Sequence, residues 1–421
     1  MEETNYSKKK QITLIIICAL VYAISYLGRF SYNANINLFI SEYNISKSEA
    51  GLVTSFFFFG YGIGQFINAF ICKYYNKRIV IFSVLIISSI INFLVFIGIP
   101  FQVIKFLWLI NGLNLSILWP TLILTLSENL DKKFLKPAIL VMSSTIPIGI
   151  LIIYGLSALF ASINSFTTTF IISTIFLIIT SFIWFILYKI SVRDKKLDAS
   201  TFKEEMSSND ENSYRSSLKY IILLMVSLSL IAILDNLFKD GIQTWIPTII
   251  KESYGVDDSI SILLSLTLPL FAFFGAYLAV LLNKKIKDYI YLCSIFFIVI
   301  SGLLLLSTYL FDLPSYAFSI ISFMIIELLL YAVNNVITSM APLLLRRRIN
   351  SGFLAGFLNG MCNIGSMISS YGIGALADNY GEWKNVFMIL FLISLLSIII
   401  GIIYFIIKNI IIHKEKNSGQ N

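Results

Sequence analysis

The stretch LIIICALVYAISYLGRFSYNANINLFI, Leu14 to Ile40, decides how this chain folds. A bilayer is crossed by about 20 mainly apolar residues in a helix, and this run is long enough. Yet Arg29 sits inside it. On insertion scales an arginine at the centre of a membrane helix costs about 2.5–3.5 kcal/mol, so such residues are kept for a function. One helix is therefore expected to be both a membrane span and part of a site.

Runs of this kind recur from end to end. We read twelve spans, at about 11–40, 49–72, 79–98, 101–128, 136–161, 165–190, 218–249, 258–282, 288–310, 315–345, 351–378 and 385–408. The 421 residues are 57% hydrophobic and 13% charged, against about 25% charged in a soluble domain. The expected class is an all-α integral membrane protein, with twelve transmembrane helices in two six-helix bundles. Residues 1–190 make the first bundle and 218–410 the second. Between them, SVRDKKLDASTFKEEMSSNDENSYRSS, Ser191 to Ser217, has the polar, aromatic-poor composition of a flexible linker. Residues 411–421 are read as a tail.

The charge distribution narrows the function. The net charge of +8 comes in short basic clusters between apolar runs, which reads as membrane topology rather than nucleic-acid binding. Twenty-five Lys and Arg lie on the side of the termini and linker, and four (Lys47, Lys105, Lys251 and Lys384) on the other. The positive-inside rule then puts both termini in the cytoplasm, in a plasma membrane, or in an organelle membrane of a eukaryote. The segment after Lys8, Lys9 and Lys10 is too long for a cleavable signal. Cys18, Cys72, Cys293 and Cys362 lie in or beside apolar spans, so no disulfide framework is expected. With His413 as the one histidine, no metal site is expected. No nucleophile–base pair or phosphate-cradling loop stands out, so an enzyme is not expected, nor a cofactor. YGIGQF, Tyr61 to Phe66, lies within a span and reads as helix packing.

Two basic residues remain inside the membrane, Arg29 and Lys239. Arg29 lies 19 residues after Lys10, and Lys239 lies 20 after Lys219, so the two halves place a cation at nearly the same depth. Two parallel repeats around a midplane site would do this. Asp235, one turn before Lys239, and neighbouring Asp240 are the acids able to neutralise it. Tyr22, Tyr26, Arg29 and Asn33 share one helical stripe. Tyr61, Gln65 and Asn68 form another, followed by Glu327, Tyr331, Asn334 and Asn335, then Asn359 and Asn363. Asn111, Ser143 and Ser144 add polar groups on the fourth and fifth spans. Polar stripes on several spans call for a common wet interior. Arginine's fork matches phosphate or carboxylate oxygens two at a time, and lysine adds a mobile point charge. The expected ligand is an anion, a phosphate or phosphate ester before a carboxylate.

These residues resemble the organophosphate:phosphate antiporters of the major facilitator superfamily, which include the glycerol-3-phosphate, hexose-6-phosphate and glucose-6-phosphate transporters. YAISYLGRF resembles the family's first helix, with its substrate arginine at Arg29. WLINGLNLSILWP, Trp108 to Pro120, is similar to the fourth-helix Asn-Gly and Trp-Pro pattern and includes Trp119. KDGIQTWIPTIIKE, Lys239 to Glu252, is similar to the seventh-helix segment that carries a second phosphate-binding cation, and includes Gln243. AGFLNGMCNIGSMISSYGIGALADNYGEW, Ala355 to Trp383, resembles the glycine-rich eleventh helix. The chain departs from the family in several places. Lysine replaces the second arginine at 239, a fifth-helix histidine is Ile146, a second-loop acid is Lys73, and an eighth-helix glutamate is Pro269.

The resemblance implies a monomeric antiporter that exchanges a phosphorylated organic anion for inorganic phosphate by alternating access. Membrane lipid and the small anions are its partners. An empty closed site holding two uncompensated cations would disfavour return without cargo. Glu327 is a candidate for proton coupling, a hydrogen-bond partner, or a counter-ion to Lys239. Two other readings stay open. One is a proton-coupled carrier of another organic anion or a sugar, and the other is a membrane sensor of sugar phosphate that does not transport.

Overall fold

The computed structural model describes residues 7–71, 74–192, 218–345 and 351–418. Cys72, Lys73, the basic run at 346–348, the linker beyond Val192 and the last three residues lie outside the described residues. In the N-terminal half are α1 (Lys8–Ala34), α2 (Ile36–Tyr43), α3 (Lys47–Ile71), α4 (Lys77–Phe96), α5 (Phe101–Leu115), α6 (Leu118–Asn129), α7 (Lys132–Ser162) and α8 (Thr168–Ser191). The C-terminal half holds α9 (Leu218–Tyr254), α10 (Asp258–Ser265), α11 (Thr267–Asn283), α12 (Tyr289–Leu310), α13 (Tyr316–Asn335), α14 (Ala341–Leu344), α15 (Ser351–Tyr380) and α16 (Trp383–Ser418).

Among the described residues, eleven helical spans are long and apolar enough to cross a membrane. The remaining expected span, α15, is 30 residues long. Its glycines, serines and asparagines lower its hydropathy, and it can carry them because α3 and α9 pack along it. Small residues at such contacts let helices approach closely. Helix α16 runs on to Ser418, past the boundary expected for a tail at 411.

Four expected spans are interrupted. The first breaks at Asn35, between α1 and α2, and proline explains the other three. A proline ring clashes with the carbonyl four residues earlier and lacks the N–H that would bond it. Pro120 acts on Ser116, where α5 ends, and Pro269 acts on Ser265, where α10 ends. Pro342 acts on Thr338, inside the π-helical turn Val336–Met340.

Within the N-terminal half α1 packs on α7 and α8, α3 on α5, and α4 on α8. In the C-terminal half α9 packs on α15 and α16, α11 on α13, and α12 on α16. The halves meet where α3 runs along α15, α7 against α10 and α11, and α1 against α9. At Gly51 a Cβ would lie 2.1 Å from the Ser370 carbonyl oxygen, so only glycine permits that approach. The Ser55 hydroxyl donates to the Met367 carbonyl at 2.7 Å across the same seam. Farther from the termini, Thr248 donates to Asn37 Oδ1, and Lys47 Nζ lies 3.1 Å from Glu252 Oε1. The end of the bundle that carries the 44–46 and 255–257 turns is thereby closed.

Candidate functional site

Arg29 projects from α1 into a cage of aromatic rings. Its guanidinium carbon lies 4.8 Å from the Tyr61 ring centroid, 5.2 Å from Phe30, 5.3 Å from Phe57, 5.5 Å from Tyr26 and 5.6 Å from Phe58. Each such contact contributes about 0.5–2 kcal/mol, the larger value where water is excluded. Rings hold the charge without cancelling it. Among the described residues no carboxylate pairs with Arg29, and its buried Nε has no hydrogen-bond partner. Tyr22 extends the aromatic wall, 5.5 Å from Tyr26 and 4.8 Å from Trp119. The Phe56–Phe59 run supplies Phe57 and Phe58, yet four consecutive phenylalanines carry no polar pattern that would mark a site.

Across the molecule, Lys239 Nζ lies 3.4 Å from Asp240 Oδ1 and 5.2 Å from the centroid of Tyr331. Asp240 also accepts a hydrogen bond from the Ser366 hydroxyl of α15. Of the two acids read as able to neutralise Lys239, Asp240 is the one in contact with it, with Asp235 within electrostatic range. Asp235 is wholly buried, and its Oδ2 accepts from Asn236 Nδ2 and from Asn334 Nδ2, each at 3.3 Å. Asp235 Oδ1 and Glu327 Oε2 have no partner. The expected pair of unpaired cations is thus reduced to one, Arg29, which has Asp240 within electrostatic range but not in contact. Tyr26 lies within electrostatic range of both Arg29 and Lys239, and Tyr331 within range of Lys239 and Tyr26. The two cations accordingly face one interior.

Several residues read from the sequence stripes occupy the seam between the halves. Asn33 donates to the Thr244 hydroxyl at 3.2 Å and accepts from Thr54 at 3.2 Å. Asn359 donates to Gln65 Oε1 at 2.8 Å, and Asn363 donates to the Asn359 carbonyl at 2.7 Å. Gln243 is buried, and its backbone carbonyl accepts from the Tyr154 hydroxyl at 3.4 Å. Asn111 donates to the Gly28 carbonyl at 2.9 Å, bracing α1 beside Arg29. Asn68 donates to Ser116 at 2.9 Å within its own half. Asn335 turns to the Ala276 carbonyl at 3.4 Å. Ser143 and Ser144 bond back to their own helix, at 3.0 Å to the Ile139 carbonyl and 2.8 Å to that of Leu140. Tyr154 was not singled out in the sequence because it belongs to no polar stripe; Ser366 continues the Asn359–Asn363 stripe at i+7 and was missed.

A many-spanned helical protein in two halves, with charge at mid-membrane between them, defines a membrane transporter fold rather than an enzyme. The chain belongs to the Major Facilitator Superfamily, whose sequence profile matches residues 18–351. It superposes on a bacterial homolog of the human lysosomal transporter Spinster in its inward-facing, occupied conformation, with TM-score 0.75 and 15% identity, covering 96% of this chain and 98% of that one. The inward-facing, unoccupied form gives TM-score 0.71 at 14% identity, covering 94% and 96%. A point mutant of the nucleoside transporter NupG gives 0.64 at 13% identity, covering 94% and 100%. Identities this low carry the fold alone. In sequence the chain is 27% identical over 99 residues to the membrane sensor protein UhpC of Escherichia coli (strain K12). That match spans 24% of this chain and 23% of the relative, under a quarter of its length.

Proposed function

We propose that this chain is a secondary carrier of a phosphorylated organic anion, taken in exchange for inorganic phosphate by alternating access between the two halves. The observation that carries this reading is Arg29: a fixed cation, held by rings on several sides and left without a carboxylate. A half-buried charge in that setting is destabilising unless something compensates it. An anion with two oxygens in one plane is the natural complement of a guanidinium fork. Lys239, already paired with Asp240, contributes as a second cation once the ligand draws it from that pair. Tyr22, Tyr26, Tyr61 and Trp119 shape the pocket on the N-terminal side, and Gln243, Asn334 and Asn363 offer amides on the other. With one uncompensated cation rather than two, exchange is favoured over empty return without being obligatory.

The test is uptake of radiolabelled inorganic phosphate into proteoliposomes preloaded with phosphate or glucose-6-phosphate. Saturable uptake that needs internal anion, and is lost in Arg29→Ala and Lys239→Ala, supports the carrier. The similarity to a protein named as a membrane sensor favours one other reading, in which the same anion is bound and reported. A sensor would be thermally stabilised by the anion through Arg29 and show no uptake.

A further inference from the structure

Two cations face the site, and they share one acid. Asp240 Oδ1 lies 3.4 Å from Lys239 Nζ, and Oδ2 accepts from the Ser366 hydroxyl. Arg29 lies within electrostatic range of the same carboxylate. Asp235 and Glu327 are sealed in the protein, at 0% and 1% exposure, each with one oxygen that has no hydrogen-bond partner. An ionised carboxyl so placed is costly, so both enter as neutral acids. Arg29 and Lys239 then bring two positive charges and Asp240 one negative, which leaves one positive charge for the ligand. The remainder is the same if the ligand draws Lys239 away, because Asp240 stays beside it on Ser366.

We propose that Asp240 is a specificity-determining residue, and that through it the site selects phosphates carrying one negative charge over dianions. The inference rests on the anion-carrier reading and adds the charge of its substrate. The ligands that qualify are phosphodiesters, and the monoanions of phosphomonoesters and of inorganic phosphate. Arg29 suits them. Its Nε is sealed, so the terminal nitrogens are what it presents, and they match two oxygens that share a single charge. A dianion would leave unbalanced negative charge next to Asp240, in an interior where like charges repel far more strongly than in water.

The fold holds this acid in place opposite Arg29. Asn33, one turn beyond Arg29 on α1, donates to the Thr244 hydroxyl at 3.2 Å. Thr244 in turn donates to the Asp240 backbone carbonyl at 2.7 Å. The turn of α9 that carries Asp240 is thereby tied to the helix of Arg29, while Ser366 fixes the carboxylate from α15. The titratable groups around Asp240 are Lys239 and Asp235 on its own helix, Arg29 on α1, Glu327 and Tyr331 on α13, and Cys362 on α15. Of these only Arg29 and Lys239 carry positive charge. Asp240 is also 13% exposed, which leaves it open to the interior as Asp235 is not.

The experiment measures binding to the purified protein in detergent, by ligand-induced thermal stabilisation, with two probes. Dimethyl phosphate keeps one negative charge throughout, whereas methyl phosphate loses its second proton at about pH 6. At pH 5.5 both are largely monoanions, so the ratio of their affinities there reads size alone. The change in that ratio between pH 5.5 and pH 8 reads charge. In wild type the affinity of methyl phosphate relative to dimethyl phosphate is expected to fall at least tenfold over this interval. In Asp240→Asn, with one more positive charge, the fall should disappear, and in Asp240→Glu it should return. The wild-type comparison stands by itself if Asp240→Asn is too unstable to titrate. A constant ratio in wild type, an equal fall in Asp240→Asn, or binding of methyl phosphate without dimethyl phosphate overturns the selection and leaves the anion site intact. If neither probe nor inorganic phosphate stabilises well-folded wild type, both readings are overturned.

Discussion

Asp378, near the end of α15, accepts hydrogen bonds from the backbone N–H groups of Lys47 at 3.0 Å and Ser48 at 2.8 Å, the first residues of α3 in the opposite half. A carboxylate suits this place because the leading N–H groups of a helix have no partner within it and carry the positive end of its dipole. Here the cap comes from the other half, so it exists only while this face is closed. Hydrogen bonds to a charged group contribute about 1.5–3 kcal/mol each. Asp378→Ala is expected to shift the balance of closed to open on this face by at least tenfold. Spin labels at Glu42 and Asp257, both exposed on this side, should then report a longer distance population that wild type lacks. An unchanged distance distribution would show that the cap does not hold the face.

Gly51 is expected to act on the same face by sterics. A Cβ there would come within 2.1 Å of the Ser370 carbonyl, whereas one at Gly372 meets nothing within 4 Å. Backbone cannot give way as a flexible side chain can, so Gly51→Val should hold the halves apart while Gly372→Ala leaves them closed. The same spin-label pair tests it, with Gly372→Ala as the control.

The arginine's geometry predicts that charge alone will not serve. Lysine keeps the positive charge but lacks the planar fork and stacks less well on rings. Arg29→Lys should weaken anion binding by about tenfold or more, a loss of about 1.4 kcal/mol, and Arg29→Ala should remove it. Ligand-induced thermal stabilisation in detergent measures both, and an equal affinity for Arg29→Lys would show that the ligand reads only a point charge.

Much of this site was legible in the sequence because charge inside an apolar run is rare. Arg29 and Lys239 needed only position along the chain to be paired by depth. The cage around Arg29 was hidden, since Phe57 and Phe58 look the same whether they face lipid or a cation. Both Asp235 and Asp240 were visible as partners for Lys239, but the choice between them was not, because helical spacing ignores Asn236 and Asn334, which bond to Asp235. Asn33 and Gln65 carry a polar stripe as ligand residues would. A stripe marks the face turned to the interior, and that face serves the seam between the halves as well as the pocket. Pro120, Pro269 and Pro342 were visible, but apolar length joined the pieces on either side of them into single spans.

The Lys239–Asp240 pair predicts a stability effect separable from binding. Both side chains are little exposed, at 12% and 13%. Removing one partner of a buried pair costs about 3–5 kcal/mol, while replacing both can be nearly neutral. Asp240→Asn is therefore expected to lower the melting temperature, and Lys239→Met combined with Asp240→Asn to recover most of the loss while remaining unable to bind phosphate. Recovery of binding with stability would remove Lys239 from the site.

A proline explains the contact between Tyr154 and α9. Pro247 has no N–H, so the carbonyl four residues earlier, that of Gln243, lacks its helical donor. Tyr154 reaches over from α7 and donates its hydroxyl to that carbonyl at 3.4 Å. The two residues should behave as a unit. Tyr154→Phe alone leaves a buried carbonyl unsatisfied, at a cost of about 1–3 kcal/mol. In a Pro247→Ala background the helix supplies its own donor, and the same Tyr154→Phe change should cost well under about 1 kcal/mol by the same reasoning. A double-mutant cycle on thermal or denaturant stability in detergent measures the difference, which should be positive and above about 0.5 kcal/mol, the range of coupled neighbours. Additive effects would mean that the tyrosine serves α9 only by packing.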